Sequence, residues 1–399
     1  MKTNNLKALW TFEGYVTLEA RVALPYLQVT IRRDERYGLP CPDCGRAMAF
    51  NRETWNTARD LPCGAAGIAI IKYPAIQGRC ASCRKFHTVR PREIDSSVGA
   101  TRRLMATVNV LARHVPLKDV GQAFGISAAS AYRWDMKVLE GGLAEPDLEN
   151  LRVLLVDEKS VRKRHGYVTL VMNGDTGELL HMAEGKKKES LQGFFDKLSD
   201  EQKASIEAVC IDRAGAYKAA IRENLPGAAI VFDKFHLMKN LNEVIDEVRR
   251  EEYRQASDGE REVFKGQRYN LLRHEENLPL WAVADFRRLL ELNENLNICY
   301  MLKEAFGLVW SYLQPKRASD YLAQWVAWAR QSAVGLMEKF ANGVERDAEN
   351  ITSYSKHRIT NGRLEGFNNQ VARVIHKACG IRNVQYLFLK LRQQSLLQL

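Results

Sequence analysis

Two aspartates pose the first chemical question. Asp157 and Asp212 each close a short apolar run, Leu154-Leu-Val-Asp157 and Val209-Cys-Ile-Asp212. Such runs read as buried central strands, and their polar ends meet at one edge of a sheet. Two carboxylates so placed can bridge a pair of divalent ions about 3.5–4 Å apart, the spacing used for in-line phosphoryl displacement. One ion activates an attacking hydroxyl, and the other stabilises the departing 3′ oxygen. Oxygen ligands point to magnesium, with manganese as a substitute. The best third acid is Glu365, within Thr360-Asn-Gly-Arg-Leu-Glu-Gly-Phe-Asn-Asn369. Glycines beside it permit close backbone approach, and Asn and Arg side chains can donate to phosphate. A single acid at a strand end is more commonly a cap or a solvated turn residue, so spacing alone leaves this trio open.

A second constellation is made of sulfur. Cys41-Pro-Asp-Cys44-Gly and Cys80-Ala-Ser-Cys83 are two C-x2-C pairs, and two such pairs complete a closed tetrahedral structural zinc site. The 35 residues between Cys44 and Cys80 exceed the usual ribbon spacing, so the chain should loop out between the knuckles. Cys63 and His87 are substitute ligands only if a paired cysteine fails. Cys63, Cys210, Cys299 and Cys379 stand singly, unlike a secreted disulfide framework.

These groups need elements to position them. Over Val115–Trp134 the sequence reads as two helices joined at Gly125, a helix-turn-helix pattern. Val120, Ala123 and Phe124 line the first helix, Ile126 plugs the junction, and Ser127 caps the second helix. Ala131 and Trp134 then face inward, leaving Ser130, Arg133 and Lys137 outward toward a DNA major groove. Gly141-Gly142 and the acidic stretch from Glu145 to Glu149 mark a boundary. Beyond it come three strands (Leu151–Val156, Tyr167–Met172 and Leu179–Ala183), then a helix over Ser190–Leu198. Strand 206–211, helix 216–224 and strand 228–232 follow. Three antiparallel strands and then alternating helices and strands fit a mixed α/β sheet of ribonuclease H-like order. From about 235 to 360 the pattern is helical. Trp281, Trp310, Trp325 and Trp328 read there chiefly as core, with stacking on a displaced base as the other use.

Composition narrows the class. With 46% hydrophobic and 27% charged residues, the 399-residue chain has the make-up of large buried cores, not of a disordered or collagen-like protein. No charge-free stretch reaches 18 residues, which excludes a membrane-spanning helix. Lys2 and Lys7 are followed by Glu13 and Glu19 before any apolar run, so no secretory leader is expected. A soluble, cytoplasmic protein is expected. The net charge of +11 is uneven: residues 1–140 hold 21 basic and 12 acidic side chains, against 38 and 36 in the remainder. A local basic excess attracts polyanions.

Four blocks occur in order: Val156-Asp-Glu-Lys-Ser160, Ile211-Asp-Arg-Ala-Gly-Ala-Tyr217, Phe232-Asp-Lys-Phe-His236 and Thr360–Asn369. Together they resemble the DDE transposases of bacterial insertion sequences, and in particular the ISL-three family. The resemblance covers nearly the whole chain. It implies a zinc ribbon in 1–99, with knuckles at 41–44 and 80–83, and a helix-turn-helix DNA-binding domain in 100–145. It further implies a ribonuclease H-like catalytic domain in 150–399, carrying a helical insertion at about 240–355. The catalytic, magnesium-binding triad falls on Asp157, Asp212 and Glu365, with Asp233 and His236 supporting it or positioning DNA. Glu158 is the nearest rival to Asp157, but strand alternation turns it to the opposite face; Asp233 rivals Asp212.

The implied activity is binding of double-stranded DNA at terminal inverted repeats, hydrolysis to free a 3′ hydroxyl, and its transfer to target DNA. No covalent protein–DNA intermediate is needed. Synapsis of two ends implies at least a homodimer, associated with the nucleoid when DNA-bound. Arg162–Arg164, Lys186–Lys188, Lys377, Arg382, Lys390 and Arg392 are candidates for backbone phosphates, although each reads as readily as a solvated charge. Two other readings stand beside this one: a non-catalytic DNA-binding regulator on the same scaffold, and a nuclease of the same fold that does not join strands.

Overall fold

A computed structural model describes residues 10–23, 25–63, 67–162, 166–213, 215–378 and 381–397. Apart from the backbone of Arg162, the basic turn expected at 162–164 lies outside the described residues, as does Cys379. The chain divides into two compact units, residues 1–144 with 374–393 and residues 145–373 with 394–399.

The first unit is built on a sheet of seven strands: β1 (Tyr15–Ala23), β2 (Tyr26–Arg33), β3 (Ala49–Pro62), β4 (Ile68–Arg79), β5 (Phe86–Val89), β6 (Ile94–Asp95) and β7 (Ala100–Thr101). Their order is β1-β2-β4-β3-β7-β6, with β5 also pairing β4. The segment between the two cysteine pairs is therefore not a looped-out excursion. It is a long antiparallel hairpin, β3 against β4, running from Ala49↔Arg79 to Pro62↔Ile68. Its β-branched and aromatic residues suit a pleated surface. Ile71 and Tyr73 bury one face against Leu27, Val29 and Ile31 of β2. Asp60, fully buried, accepts from Trp10 Nε1 (2.9 Å), Thr101 Oγ1 (2.6 Å) and Arg103 Nε (2.8 Å). Burial alone would raise its carboxyl; the Arg103 and Thr101 donors outweigh that and hold it below the usual range.

Three helices follow: α1 (Arg102–Leu111), α2 (Leu117–Ala123) and α3 (Ala128–Gly142). Thr101 caps α1 through Leu104 N–H, and Ser127 caps α3 through Ser130 N–H at 3.1 Å. Between α2 and α3, Gly125 takes φ +60°, the left-handed region that suits glycine. Gly121 is required too, because a Cβ there would stand 2.7 Å from the Ile126 carbonyl oxygen. Val120, Phe124, Ile126, Ala131 and Trp134 form the buried core with Leu104 and Val108. Ala123, expected inward, is exposed, since it lies off the stripe made by Val120, Gly121 and Phe124. α3 runs through Gly141-Gly142, and the two units divide just after it, between Ala144 and Glu145, at the acidic stretch.

The first unit takes its last helix from the far end of the chain. Tyr386, Lys390 and Gln393 reach a polar network centred on the fully buried Asp135. Asn109 Nδ2 donates to Asp135 Oδ1 (2.7 Å), Lys390 Nζ lies 3.1 Å from Oδ2, and Tyr386 donates its hydroxyl to the same oxygen. Gln393 Nε2 donates to Asn109 Oδ1 at 2.9 Å. Lys390 is thus committed to a buried ion pair rather than to phosphate. Arg392 is buried as well, and Lys377 donates to the Arg113 carbonyl.

The second unit carries a five-stranded sheet of order β10-β9-β8-β11-β12. β8 (Val153–Arg162), β9 (Gly166–Asn173) and β10 (Leu179–Glu184) are antiparallel neighbours; β11 (Ala208–Ile211) and β12 (Ala229–Phe232) run parallel to β8. α4 (Lys188–Phe195) and α5 (Asp200–Ser205) connect β10 to β11, and α6 (Gly215–Asn224) connects β11 to β12. α7 (Lys234–Gln255) then opens a helical region: α8 (Asp258–Phe264), α9 (Arg268–Leu272), α10 (Val283–Leu292), α11 (Glu294–Gly307), α12 (Pro315–Gln331), α13 (Gly335–Arg346), α14 (Ala348–Thr352) and α15 (Tyr354–His357). α16 (Gly362–Lys377) and α17 (Val384–Leu396), the helix described above with Asp135, complete the chain.

β8 does not stop at Asp157 as the apolar pattern suggested. It continues to Arg162 because β9 goes on pairing with it, Asp157↔Leu170 through Arg162↔Gly166. One apolar core joins the sheet (Leu154, Val156, Val209, Ile211) to Leu237, Leu241, Phe286, Phe306 and Trp325 of the helices. Trp325 is core, its indole donating to the Leu302 carbonyl at 2.8 Å. Trp328 and Trp281, by contrast, are exposed, the latter at 79%. Among the described residues, no helix is long and apolar enough to cross a membrane.

The Asp135 network yields a stability prediction. Asp135→Ala leaves the Lys390 ammonium buried and unpaired, which should cost about 3–5 kcal/mol. Thermal unfolding followed by circular dichroism should show that loss; an unchanged midpoint would mean that the pair is not formed.

Candidate active site

The sheet register brings the first two acids together. β8 and β11 are parallel with Leu155 beside Cys210, so Asp157, within β8, and Asp212, just past the end of β11, stand at the same level of adjacent strands. Asp157 is only 8% exposed. Its Oδ1 accepts the Glu158 amide (2.7 Å), and its Oδ2 accepts Asn368 Nδ2 (2.7 Å). Burial pushes its carboxyl up to about 6, against the lowering effect of those donors, and the charge of Asp212 adds to the rise. Asp212, with a side chain 30% exposed, faces the open side of the edge.

A cation sits among these acids. His236 Nδ1–H lies 3.0 Å from both Asp212 Oδ1 and Asp233 Oδ2. Those two hydrogen bonds raise the imidazole to about 10, well above its ordinary value, despite partial burial. Asp233 is itself buried, which would raise its carboxyl, but His236 and the Asn361 amide hold it low; Asn361 N–H donates to Oδ1 at 3.1 Å. The loop after Asp212 is pinned from the helical side. Arg213 donates through Nε (3.1 Å) and Nη2 (2.6 Å) to Asp347 Oδ2, and Lys218 Nζ donates to Oδ1 (3.1 Å). On the next strand, Thr169 Oγ1 lies 2.8 Å from the buried Tyr217 hydroxyl, the last residue of the Asp212 block.

Glu365 enters on α16. Asn361, Glu365 and Asn368 are spaced i, i+4, i+7 and share one helical face. The first and last of them hold β8: Asn361 Nδ2 donates to the Val156 carbonyl (3.1 Å), and Asn368 bonds Asp157. Glu365 lies between those anchors, yet its side chain is exposed. The three acids do not close into one compact cluster. Among the described residues, only Cys41, Cys44, Cys80 and Cys83 bring three or more ligand atoms within 4.8 Å of one another. What the sheet and α16 provide is an open set of carboxylate oxygens, the hard donors that suit a divalent cation.

The positioning roles of Asn361 and Asn368 were missed in the sequence, although their spacing about Glu365 was there to find. The Arg213–Asp347 pair spans 134 positions and left no local signal.

The cysteine cluster is more complete. Cys41 Sγ lies 3.9 Å from Cys83 Sγ, and Cys44 Sγ lies 3.6 Å from Cys80 Sγ. Four thiolates at the usual metal–sulfur distance of a tetrahedral site stand about 3.8 Å apart, so the set fits a tetrahedral metal ion. Each knuckle is folded alike: the residue after its second cysteine, Gly45 or Arg84, has positive φ. The Cys83 amide donates to Cys80 Sγ at 3.4 Å and, against burial, brings that thiol down to about 7. Cys63 is not in the cluster. His87 Nε2 lies 3.6 Å from Asp43 Oδ2.

On α3, Arg133 is exposed and its Nη2 donates to Ser130 Oγ at 3.3 Å. Lys137 is differently placed. Its ammonium pairs with Asp95 Oδ2 (2.8 Å) and also donates to Ser97.

Residues 154–391 match a family described as transposase, the DDE transposases of the ISL-three (ISL3) type. The chain belongs to that family; it is a DNA transposase, an enzyme of DNA cleavage and strand transfer. It is 28% identical over 356 residues to the transposase for insertion sequence element IS1001 of Bordetella parapertussis, covering 88% of this chain and 87% of the relative. It is also 27% identical over 261 residues to the transposase for IS1557 of Mycobacterium tuberculosis, covering 60% of this chain and 59% of that relative.

The raised carboxyl of Asp157 has a consequence for stability. A carboxyl with a higher pKa folded than unfolded favours folding while protonated, and that advantage is lost as pH rises from about 4 through about 6. Metal-free wild type should therefore lose on the order of 2–3 kcal/mol relative to Asp157→Asn between pH 4 and pH 8. Denaturant titrations of both proteins at the two pH values measure this, and parallel pH profiles would refute it.

Proposed function

We propose that Asp157, Asp212 and Glu365 are the catalytic acids and that they hold magnesium, with manganese able to replace it. The observation that carries this reading is the face of α16: Glu365 stands between two asparagines that grip β8 at Val156 and at Asp157 itself. Bound metal would supply Lewis acidity toward the scissile phosphate and lower the pKa of the attacking hydroxyl. The chain's own residues do the rest. Asn368 fixes the rotamer of Asp157, His236 and Asp233 orient Asp212, and the Arg213–Asp347 pair holds the loop that carries it. The strand order β10-β9-β8-β11-β12, three antiparallel strands followed by two parallel ones, supports a ribonuclease H-like catalytic domain.

The remaining modules fit the same activity. The two helices about Gly125 are proposed as a helix-turn-helix that reads the terminal inverted repeats. Ser130 and Arg133 would lie in the major groove, with Lys137 joining them on exchanging Asp95 for phosphate. Cys41, Cys44, Cys80 and Cys83 are proposed to bind a structural zinc ion that ties β3 and β4 at the end bearing the knuckles. Two ends brought to one reaction call for at least a homodimer, acting on cytoplasmic, nucleoid DNA.

One assay tests this arrangement: cleavage and strand transfer, with magnesium, of DNA carrying the ends that flank the gene. Glu365→Gln should abolish both steps while binding ends normally. Asn368→Ala should slow cleavage about 10- to 100-fold, as loss of a group that orients a metal ligand does. Arg133→Ala should weaken binding of the ends. Full cleavage by Glu365→Gln would remove that residue from the site. Metal analysis of protein purified without chelator should find zinc, and removal of the zinc should unfold the knuckles; protein free of zinc would overturn the ribbon.

A further inference from the structure

The helix proposed to read DNA has a second side. On α3, Ser130, Arg133 and Lys137 make one stripe; with about 3.6 residues to a turn, Tyr132 and Asp135 come out on the opposite side. That side is covered by α17, which comes from the far end of the chain but belongs, through residue 393, to the same compact unit. Tyr386 sets its ring edge-on to Tyr132, with centroids 4.7 Å apart, and donates its hydroxyl to Asp135. Asn383, just ahead of α17, donates through Nδ2 to the Tyr132 hydroxyl at 3.1 Å and accepts the Tyr386 amide at 3.0 Å. Lys390 Nζ pairs with Asp135, and Gln393 Nε2 donates to Asn109 of α1, which itself donates to Asp135. Asn109, Asp135, Tyr386, Lys390 and Gln393 are all buried.

Asp135 stands between Arg133 and Lys137 in sequence. Without α17 its carboxylate would be shut in behind the reading helix with Asn109 as its remaining partner. A buried charge short of partners drives a rearrangement that brings it to water, and any turn of α3 that did so would carry Arg133 with it. Lys390 also cancels a negative charge on the very helix that approaches phosphates. We propose, resting on the reading of α2 and α3 as a helix-turn-helix, that the last helix is part of the DNA-reading module. Tyr386 and Asn383 are positioning residues that fix α3, and through it Arg133, against the base edges of the terminal repeat. The reader is then composite, joining α3 to residues 251 positions further along the chain. Phosphate contacts set register and tolerate small displacements, whereas base-edge contacts demand close placement. Loss of the support from α17 therefore acts on recognition of the ends and not on general affinity for DNA.

The test compares binding of full-length protein to end DNA and to unrelated duplex of equal length, by fluorescence anisotropy. Tyr386→Ala should weaken end binding by on the order of tenfold, the worth of one base contact, and leave unrelated DNA unchanged. Tyr386→Phe, which keeps the ring against Tyr132 and loses only the hydroxyl, should show a smaller loss in the same direction. Tyr386→Ala added to Arg133→Ala should weaken end binding no further than Arg133→Ala alone, because one acts through the other. A side chain that only holds the fold together would add its own loss. Additive losses, equal loss on both DNAs, or wild-type end binding in both Tyr386 variants would overturn the proposal. Arg133→Ala protein that binds ends as wild type does would sink the helix-turn-helix reading instead, and the Tyr386 variants would still decide whether the last helix serves end binding.

Discussion

The constraint on which the molecule turns is the cost of keeping a carboxylate out of water. Asp157 lies almost wholly beneath the edge of its sheet, and burial lifts its carboxyl to about 6 even with two donors on it. The charge of Asp212 makes the problem worse, and the chain answers with the His236 imidazole and the Asn368 amide. His236 bridges Asp212 and Asp233, while Asn361 and Asn368 carry α16 onto β8. One of the hydrogen bonds that hold the helix bearing Glu365, the one from Asn368, is thus also one that makes Asp157 tolerable. Positioning and charge compensation are one act here.

The device recurs away from the site. Asp60 gathers Trp10, Thr101 and Arg103; Asp135 gathers Asn109, Tyr386 and Lys390; Asp347 gathers Arg213 and Lys218; Asp246 gathers Arg249, Arg250 and Arg268. Most of these hubs tie segments far apart in sequence. An isolated buried carboxylate is expensive, whereas one with two or three well-placed donors specifies a single arrangement of the elements that bring them. At Asp157 the compensation is incomplete, and burial still holds its carboxyl above the usual range.

How much of this could be read beforehand follows from what periodicity reports. Apolar runs showed where strands are buried, so β11, β12 and the buried part of β8 were legible, and so was the face of the helices around Gly125. Pairing is not written in the same pattern. The polar second half of β8 reads as the end of a strand because nothing local reveals that β9 continues beside it. For the same reason the 35 residues between the knuckles looked like a loop, although Ile68, Ile71, Tyr73 and Ile76 carry a strand's composition. Lys390 looked like a phosphate contact because its partner, Asp135, stands 255 positions away. The acids proposed as catalytic were singled out by type and block order alone; the asparagines beside them become visible only when Asn361, Glu365 and Asn368 are laid on one helical face.

The last helix has a consequence in time as well as in space. Residues 374–393 belong to the first compact unit, so the ribosome makes most of that unit first and its final piece last. A nascent chain that has emerged only to Arg373 holds Asp135 without Lys390 or Tyr386. Its amino-terminal unit therefore waits, incomplete, through the synthesis of the five-stranded sheet and its helices, and closes only once residues 374–393 have emerged.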